Sequence, residues 1–354
     1  MEWIRVKILM PFLSLVTFES FVLPLANSIA ERVDELHITY LEGKPWQDPK
    51  RRFYFHKIYQ PYGFLRSKMA GFFMAKGKLY GQVKDINVDV VLTLSEVWMQ
   101  EFSRYCSRRM GVPYVVRLRG NHRLVREAFK VNALKKRFLN YLETRSLKDA
   151  NLVIPNSSDL MKRAEEWGVE KEKITPPLVN GVDTGMFRPM KVERSSEFTI
   201  AYAGRISPEK GITRLLRTAE RLTDVHILVA GANQMNLSFP RNVEYLGPLP
   251  FSEMPKFYNK ADLVVLPSFT EGFPNAILEA YACGKPVLVA TEAFPEELKV
   301  FGSVTDVDNF ESEIKTLKKS DLTVFGYRAR AYVEKHFTWD NFSQSIINYL
   351  KTVK

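Results

Sequence analysis

The 354-residue chain, 45% hydrophobic and 26% charged, has a globular composition and is long enough for two domains, which excludes a disordered or fibrous chain and a small cross-linked fold. Its net charge of +11 is concentrated: residues 51–150 carry 21 basic and 7 acidic side chains, whereas residues 191–354 carry 20 of each. One half alone therefore suits a polyanionic partner such as nucleic acid, an anionic membrane surface or an acidic substrate.

In chain order, residues 4–10 read as a buried strand entering an amphipathic helix. A secretory leader is the competing reading, since Arg5 and Lys7 precede an apolar run, but Glu19 interrupts that run. Further apolar strands are expected at 36–40, 88–94, 114–118 and 152–154, separated by helical patterns. After a Pro- and Gly-rich stretch, 176–189, the rhythm restarts with strands at 198–203, 225–230, 243–246, 263–266 and 286–290. This alternation predicts an α/β chain of two Rossmann-like, doubly wound parallel-sheet domains joined near residue 185 and facing across a cleft. No segment offers ~20 uncharged apolar residues, as a membrane-spanning helix requires. Cys106 and Cys283 lie far apart without a CxxC pair, and the histidines 37, 56, 122, 226 and 336 show no metal-binding spacing, so a reducing, cytoplasmic setting without a metal site is expected.

Two segments that follow strands carry chemistry. In the first, Gly204-Arg205-Ile206-Ser207-Pro208-Glu209-Lys210-Gly211, the glycine admits a ligand to the backbone, Ser207-Pro208 signals a helix start, and Arg205 and Lys210 supply two cations. This outlines a phosphate site; an ordinary strand-to-helix turn with two solvated cations is the alternative. Neither GxxxxGK[ST] nor GxGxxG occurs. In the second, Pro267-Ser268-Phe269-Thr270-Glu271-Gly272-Phe273-Pro274-Asn275-Ala276-Ile277-Leu278-Glu279, a helix starting near Asn275 would present backbone N–H groups from Asn275 to Ile277 to an anion. Glu271 and Glu279, eight positions apart, could address two parts of one extended ligand. A cap and a solvated helix residue are the competing readings.

On these residues the segment 200–300 resembles the nucleotide-binding domain of family 4 retaining glycosyltransferases of the GT-B fold. That family carries a strand-G-R-x-x-x-x-K-G element, here Gly204-Arg205 to Lys210-Gly211, and an E-x7-E element, here Glu271 to Glu279. Asn180-Gly181-Val182-Asp183 with Phe187 and Pro189, Ala261-Asp262, and Ala282-Cys283-Gly284-Lys285-Pro286-Val287 extend the likeness over roughly residues 150–345. The resemblance implies an acceptor-binding domain at 1–185, a nucleotide-sugar-binding domain at 186–335, and a C-terminal helix at 336–354 returning to the first domain. It implies sugar transfer from a nucleotide-diphosphate-sugar with retention and without metal or other cofactor. Arg205, Lys210 and Glu271 would be catalytic, Glu279 would bind ribose, and Gly204, Phe273, Pro274, Asn275, Ala276 and Ile277 would line the donor site.

The first half departs from the family. Where many members have a Gly-Gly loop after the first strand, this chain has Met10-Pro11-Phe12-Leu13-Ser14. Where many have a histidine after the fourth strand, it has Arg119, with Asn121 and His122 just beyond, as candidate contacts from the first domain; that His122 is merely a helix-start residue is the alternative. The basic excess coincides with two apolar stripes at near-helical spacing. One runs through Phe64, Leu65, Met69, Phe72, Phe73, Leu79 and Tyr80, with Arg66, Lys68, Lys76 and Lys78; the other through Leu124, Phe129, Leu134, Phe138 and Tyr141, with Arg123, Arg126, Lys130, Lys135, Lys136 and Arg137. Basic amphipathic helices suit the inner face of an anionic membrane, hence a peripheral protein with a glycan or lipid-linked acceptor; core packing under a solvated basic face is the plainer alternative. A nucleic-acid-binding role lacks any accompanying recognition motif, and a non-catalytic sugar-nucleotide binder is the third reading.

Overall fold

The computed structural model describes residues 5–12, 23–40, 53–59, 76–94 and 97–353, which fall into two compact units. One holds the described residues up to Gly120, Asn132–Leu178 and the segment from Asp340; the other holds Asn121–Val131 and Val179–Trp339. Each is built on a six-stranded parallel sheet.

The first sheet consists of β1 (Lys7–Pro11), β2 (Glu35–Tyr40), β3 (Phe53–Lys57), β4 (Val90–Thr93), β5 (Tyr114–Leu118) and β6 (Leu152–Pro155), in the order β3-β2-β1-β4-β5-β6. The second consists of β7 (Phe198–Ala203), β8 (Val225–Ala230), β9 (Val243–Gly247), β10 (Leu263–Leu266), β11 (Val287–Ala290) and β12 (Gly302–Thr305), in the order β12-β11-β10-β7-β8-β9. Renumbered within each unit, both orders are 3-2-1-4-5-6. The strand order reverses between β1 and β4 in one sheet and between β7 and β10 in the other, the point where loops diverge and ligands of such sheets bind.

The strands are nearly continuous apolar runs because helices cover both faces. In β10, Val264 and Leu266 pack with Phe257, Ile277 and Tyr281 on one face, while Leu263 and Val265 pack with Leu215, Ile227 and Phe310 on the other. The period of two sends alternate side chains into two separate cores.

Several expected strands shift or are joined by new ones. Strand 88–94 contracts to Val90–Thr93, and 152–154 extends to Pro155. The strand expected at 286–290 begins at Val287; Pro286 has no N–H to give the ladder, although its carbonyl accepts from Val264 N (3.0 Å). Sequence periodicity misses β3 and β12, both edge strands. Phe-Tyr-Phe-His-Lys and Gly-Ser-Val-Thr are only partly buried and offer no apolar run.

The C-terminal helix Trp339–Lys351 belongs to the first unit from Asp340 onward. Phe342, Ile346, Ile347 and Leu350 form its buried stripe at helical spacing, each contributing about 1.5–3 kcal/mol of burial before ordering costs. Buried Arg32 donates from Nε to Ser343 Oγ (2.7 Å) and from Nη1 to Gln344 Oε1 (3.0 Å), and pairs with Asp340. Arg117, fully buried in β5, stacks on the Phe342 ring (4.8 Å to the centroid) and donates to Asn156 Oδ1 (3.0 Å) and the Leu178 carbonyl (2.7 Å). Burial pushes its guanidinium down to about 9.

Among the described residues no helix is long and apolar enough to cross a membrane. In the first basic stripe, Phe64, Leu65, Arg66, Lys68, Met69, Phe72 and Phe73 lie outside the described residues, as do Leu13 and Ser14. Leu79 is core, and Lys76 reaches buried Glu101 (3.6 Å) and the Tyr105 ring.

Candidate active site

The two chemistry-bearing segments leave neighbouring strands, β7 and β10, which pair Ile200 with Leu263 and Ala201 with Val264 at the reversal point of the second sheet. After β7 the chain makes a single turn, Pro208–Lys210, before the helix Ile212–Ala219. Gly211 links the two at φ 63°, and a Cβ there would collide with the Pro267 carbonyl oxygen. Glycine is thus needed both for the left-handed backbone and for the close approach of the two loops. A backbone bond from Phe269 N to Glu209 O (3.0 Å) fastens that approach.

This seam puts Lys210 against Glu271. Lys210 Nζ donates to both carboxylate oxygens, at 2.7 and 2.6 Å, and Ser268 Oγ donates to Glu271 Oε1 at 2.7 Å. Arg205, an exposed cation on the same loop, is anchored at its guanidinium by Glu209 Oε1 (2.9 Å), which also accepts from Ser207 Oγ (2.8 Å). Tyr202, buried in β7, donates to the Arg205 carbonyl (2.8 Å). The side-chain partners of these candidates that sequence reasoning missed are Glu209, Ser207 and Ser268. Glu209 is 3% exposed, although an acid next to a proline at a helix start reads as a surface residue.

The helix Asn275–Ala282 begins where expected, with Phe273 and Pro274 buried just before it. Its first turn has no side-chain cap. Ile277 N–H, however, is taken by the Pro274 carbonyl (3.0 Å), so the expected anion-facing run of N–H groups narrows to Asn275 and Ala276. Asn180 Nδ2 donates to Asn275 Oδ1 (2.8 Å) and fixes that side chain. Glu279 lies one turn further along and accepts from Tyr258 Oη at 2.7 Å; burial pushes its carboxyl up to about 7. Gly204 is approached by Gly231, whose hypothetical Cβ would strike the Gly204 carbonyl oxygen, so the glycine pair keeps the β7 and β8 loops in contact.

Asn121 and His122 precede the expected domain joint, yet they pack with the second unit. Asn121 is buried and caps the helix His122–Ala128 by accepting from Leu124 N (3.2 Å), and this helix lies against Pro208–Lys210. Arg119 stays with the first unit, half-buried just past β5. The structure thus joins His122, Arg205, Lys210, Glu271 and Glu279 in one unit around the ends of β7 and β10. Among the described residues no three His, Cys, Asp or Glu side chains are grouped as a metal ligand set.

Residues 197–320 match the family model for glycosyl transferases group 1. The chain is 27% identical over 240 residues to D-inositol 3-phosphate glycosyltransferase of Mycobacterium marinum, covering 58% of this chain and 51% of that protein. It is 33% identical over 132 residues to the protein of the same name from Mycobacteroides abscessus, covering 31% and 30%. The chain thus spans about half the length of the first curated relative and less of the second. In structure it resembles sucrose-phosphate synthase from Thermosynechococcus elongatus (TM-score 0.77, 16% identity, 98% of this chain and 99% of that one). It also resembles Anabaena HepE in complex with UDP-glucose (TM-score 0.74, 17% identity, 98% and 100%). At such identities the likeness establishes the fold, the GT-B α/β architecture expected above. The match spans both sequence elements, from Gly204-Arg205 to Glu279, and the strands that carry them: residues 197–320 are a glycosyl transferases group 1 domain.

Proposed function

We propose that the protein is a glycosyltransferase moving a sugar from a nucleotide-diphosphate-sugar to an acceptor, with retention at the anomeric carbon. The observation that carries this reading is the Lys210–Glu271 pair beside Arg205, on the loops that leave β7 and β10. Arg205 and Lys210 take the donor diphosphate and stabilise the charge that develops on it as leaving group; one such lost contact costs about 2.7–4 kcal/mol in comparable sites. On donor binding Lys210 exchanges Glu271 for a phosphate oxygen, while Ser268 keeps the carboxylate in place to accept from the sugar hydroxyls. Glu279 accepts from the ribose, and Gly204, Phe273, Pro274, Asn275 and Ala276 line the donor. The two cations do what a metal would do, so no cofactor is required.

The test is a thermal-shift panel of UDP-, GDP- and ADP-sugars with EDTA present, followed by NMR of the anomeric configuration of the product. UDP-glucose heads the panel because the structural relative HepE is a UDP-glucose complex. Stabilisation by one donor and transfer with retention support the reading. Binding without transfer leaves a sugar-nucleotide binder, inversion removes the retaining mechanism, and no stabilisation by any donor overturns the reading.

A second reading concerns the acceptor, which we assign to the first unit and to the lipid-linked class, with the protein peripheral at the inner membrane face. The helix Ala133–Lys148 favours it: Leu134 and Tyr141, two turns apart, are 81% and 58% exposed among the cations Lys135, Lys136 and Arg137. Exposed apolar side chains ringed by positive charge fit an anionic lipid surface better than nucleic acid.

A further inference from the structure

Glu279, given above to the ribose, is held from one side by a residue that no sequence motif marks. Tyr258 lies on the helix Met254–Lys260, fully buried, its ring packed on Phe257 and Phe187 at centroid distances of 5.5 and 6.2 Å. Its hydroxyl donates to Glu279 Oε2 at 2.7 Å across 21 residues of sequence. Among the described residues this is the one side chain bonded to that carboxyl. A phenol fixed by ring packing cannot turn away, so it selects one carboxylate oxygen and leaves Oε1 for another donor.

We propose that Tyr258 is a positioning residue that keeps Glu279 ionised and turned so that Oε1 accepts the ribose hydroxyls of a nucleoside diphosphate. The proposal rests on the ribose reading of Glu279. Two hydroxyl donors need an acceptor-only carboxylate; a protonated carboxyl would offer a donor in its place. Burial pushes Glu279 up and the Tyr258 bond pulls it back, leaving it at about 7. The other titratable groups around it do not supply a counter-charge. Cys283, the next turn of its own helix, is a neutral thiol pushed up to about 12 by burial. From the helix Leu322–His336, Arg330 is engaged by Glu334 and by the carbonyls of Phe187, Ala282 and Thr184. On Tyr258's own helix Lys256 pairs with Glu253, and Lys285 reaches only the Asn259 carbonyl (3.3 Å).

The sign follows from a carboxyl whose ordinary value is near 4.3 and which here is raised: nucleotide affinity is full above about pH 7 and falls as pH drops through it. Tyr258→Phe removes one oxygen, raises Glu279 further and moves that midpoint upward. One unit of movement corresponds to about a fivefold loss of affinity at pH 7, approaching tenfold at lower pH and recovered in alkali.

The experiment is calorimetric titration of wild type, Tyr258→Phe and Glu279→Gln with UDP (GDP if that is the diphosphate bound) and with its 2′,3′-dideoxy analogue, from pH 5.5 to 9, with melting curves for each variant. The expected result is a roughly fivefold loss for Tyr258→Phe toward UDP at pH 7, an upward-moved midpoint, and no loss toward the dideoxy analogue. Unchanged UDP affinity and midpoint in Tyr258→Phe, where Glu279→Gln does weaken binding, overturns the positioning role alone. Unchanged affinity in Glu279→Gln overturns the ribose reading beneath it. Equal losses toward both nucleotides mean a merely structural tyrosine and also overturn the proposal. If Tyr258→Phe does not fold, proton NMR of the wild type decides. A protected hydroxyl resonance, absent from Glu279→Gln, should move on adding UDP but not its dideoxy analogue, and its failure to do so overturns the proposal.

Discussion

Lys210 Nζ sits 2.7 and 2.6 Å from the two carboxylate oxygens of Glu271, a pair that joins the loop after β7 to the loop after β10 although the residues are 61 positions apart. Glu271 is 9% exposed at its side chain and Lys210 23%, so the pair is largely shielded from solvent. The cation is thereby held in place by its own acid, the arrangement on which the proposed diphosphate role of Lys210 rests. The desolvation cost of assembling it is met on folding rather than on binding.

Lys210→Ala and Arg205→Ala should each remove about 2–4 kcal/mol of transition-state stabilisation, a fall of roughly 30- to 1,000-fold in kcat/KM, with folding little changed. Lys210→Ala leaves Glu271 bonded to Ser268, and Arg205 is exposed, so neither change empties a core. Steady-state kinetics beside melting curves check this. Turnover within threefold of wild type in both variants would rule out the diphosphate clamp.

Glu209→Gln should act through Arg205. The buried carboxylate holds the guanidinium at 2.9 Å and the Ser207 hydroxyl at 2.8 Å. Its loss frees the arginine to wander, so kcat should fall about tenfold with a smaller change in KM, because orientation in the transition state is what is lost. A variant that loses stability but keeps kcat would make Glu209 structural only.

The contrast between Arg205 and Glu209 shows what the sequence makes legible. Glycine, cation and spacing single out Arg205 and Lys210 as candidates because the proposed chemistry needs those residue types after a strand. The strands β7 and β10 are legible because a sheet covered on both faces demands continuous apolar runs. Glu209, Ser268 and Tyr258 are not, since their roles depend on loops that meet only after folding. The helix His122–Ala128 is a further case: it precedes the Pro- and Gly-rich joint in sequence yet packs with the second unit, a tertiary choice no local pattern encodes. Strand β3 is hidden for the opposite reason, since an edge strand of alternating half-buried and exposed aromatics gives no core signal.

On the proposed roles, Glu271 at the reacting sugar and Glu279 at the ribose, Glu271→Gln should lower kcat with little change in donor affinity, whereas Glu279→Gln should chiefly weaken donor binding. Single-turnover rates and calorimetric affinities separate the two effects. Identical kinetic signatures would remove the distinction.

Stability should fall in acid through Glu101. This carboxylate is fully buried in the helix Val97–Met110 and is raised by burial, but hydrogen bonds from Arg104 (3.1 Å) and Arg145 (2.7 Å) outweigh that and hold it below the usual carboxylate range. A lowered value means that its contribution is present above the ordinary carboxylate range and is lost as pH falls below it. Glu101→Gln takes the carboxylate from Arg145 and leaves Arg104 to Asp149 alone, and should cost about 3–5 kcal/mol, with a flatter acid limb in the stability curve. Urea denaturation from pH 3 to 7 checks both features, and an acid limb unchanged in the variant would clear Glu101 of the role.

The proposed membrane surface is tested through the charge map. On the helix Ala133–Lys148, Leu134 is 81% and Tyr141 58% exposed, while the buried residues Leu142, Glu143, Ser146 and Leu147 cluster in the C-terminal half. Its first two turns are therefore an apolar and basic surface that the first unit's core does not use. If that surface meets anionic lipid, vesicle binding should require anionic headgroups and weaken as the Debye length shortens from about 10 Å at 0.1 M salt to about 3 Å at 1 M. Lys135→Glu with Arg137→Glu should reduce binding by about 30-fold or more, since each cation near such a surface contributes about 1 kcal/mol. Leu134→Ser should weaken it even at low salt, because insertion uses buried area as well as charge. So exposed a side chain can be changed without unfolding the protein, and none of these changes should alter nucleotide affinity, which the proposed function assigns to the other unit. Equal binding to neutral and anionic vesicles, or none to either, would reject the membrane surface and leave the basic excess to an acidic soluble acceptor.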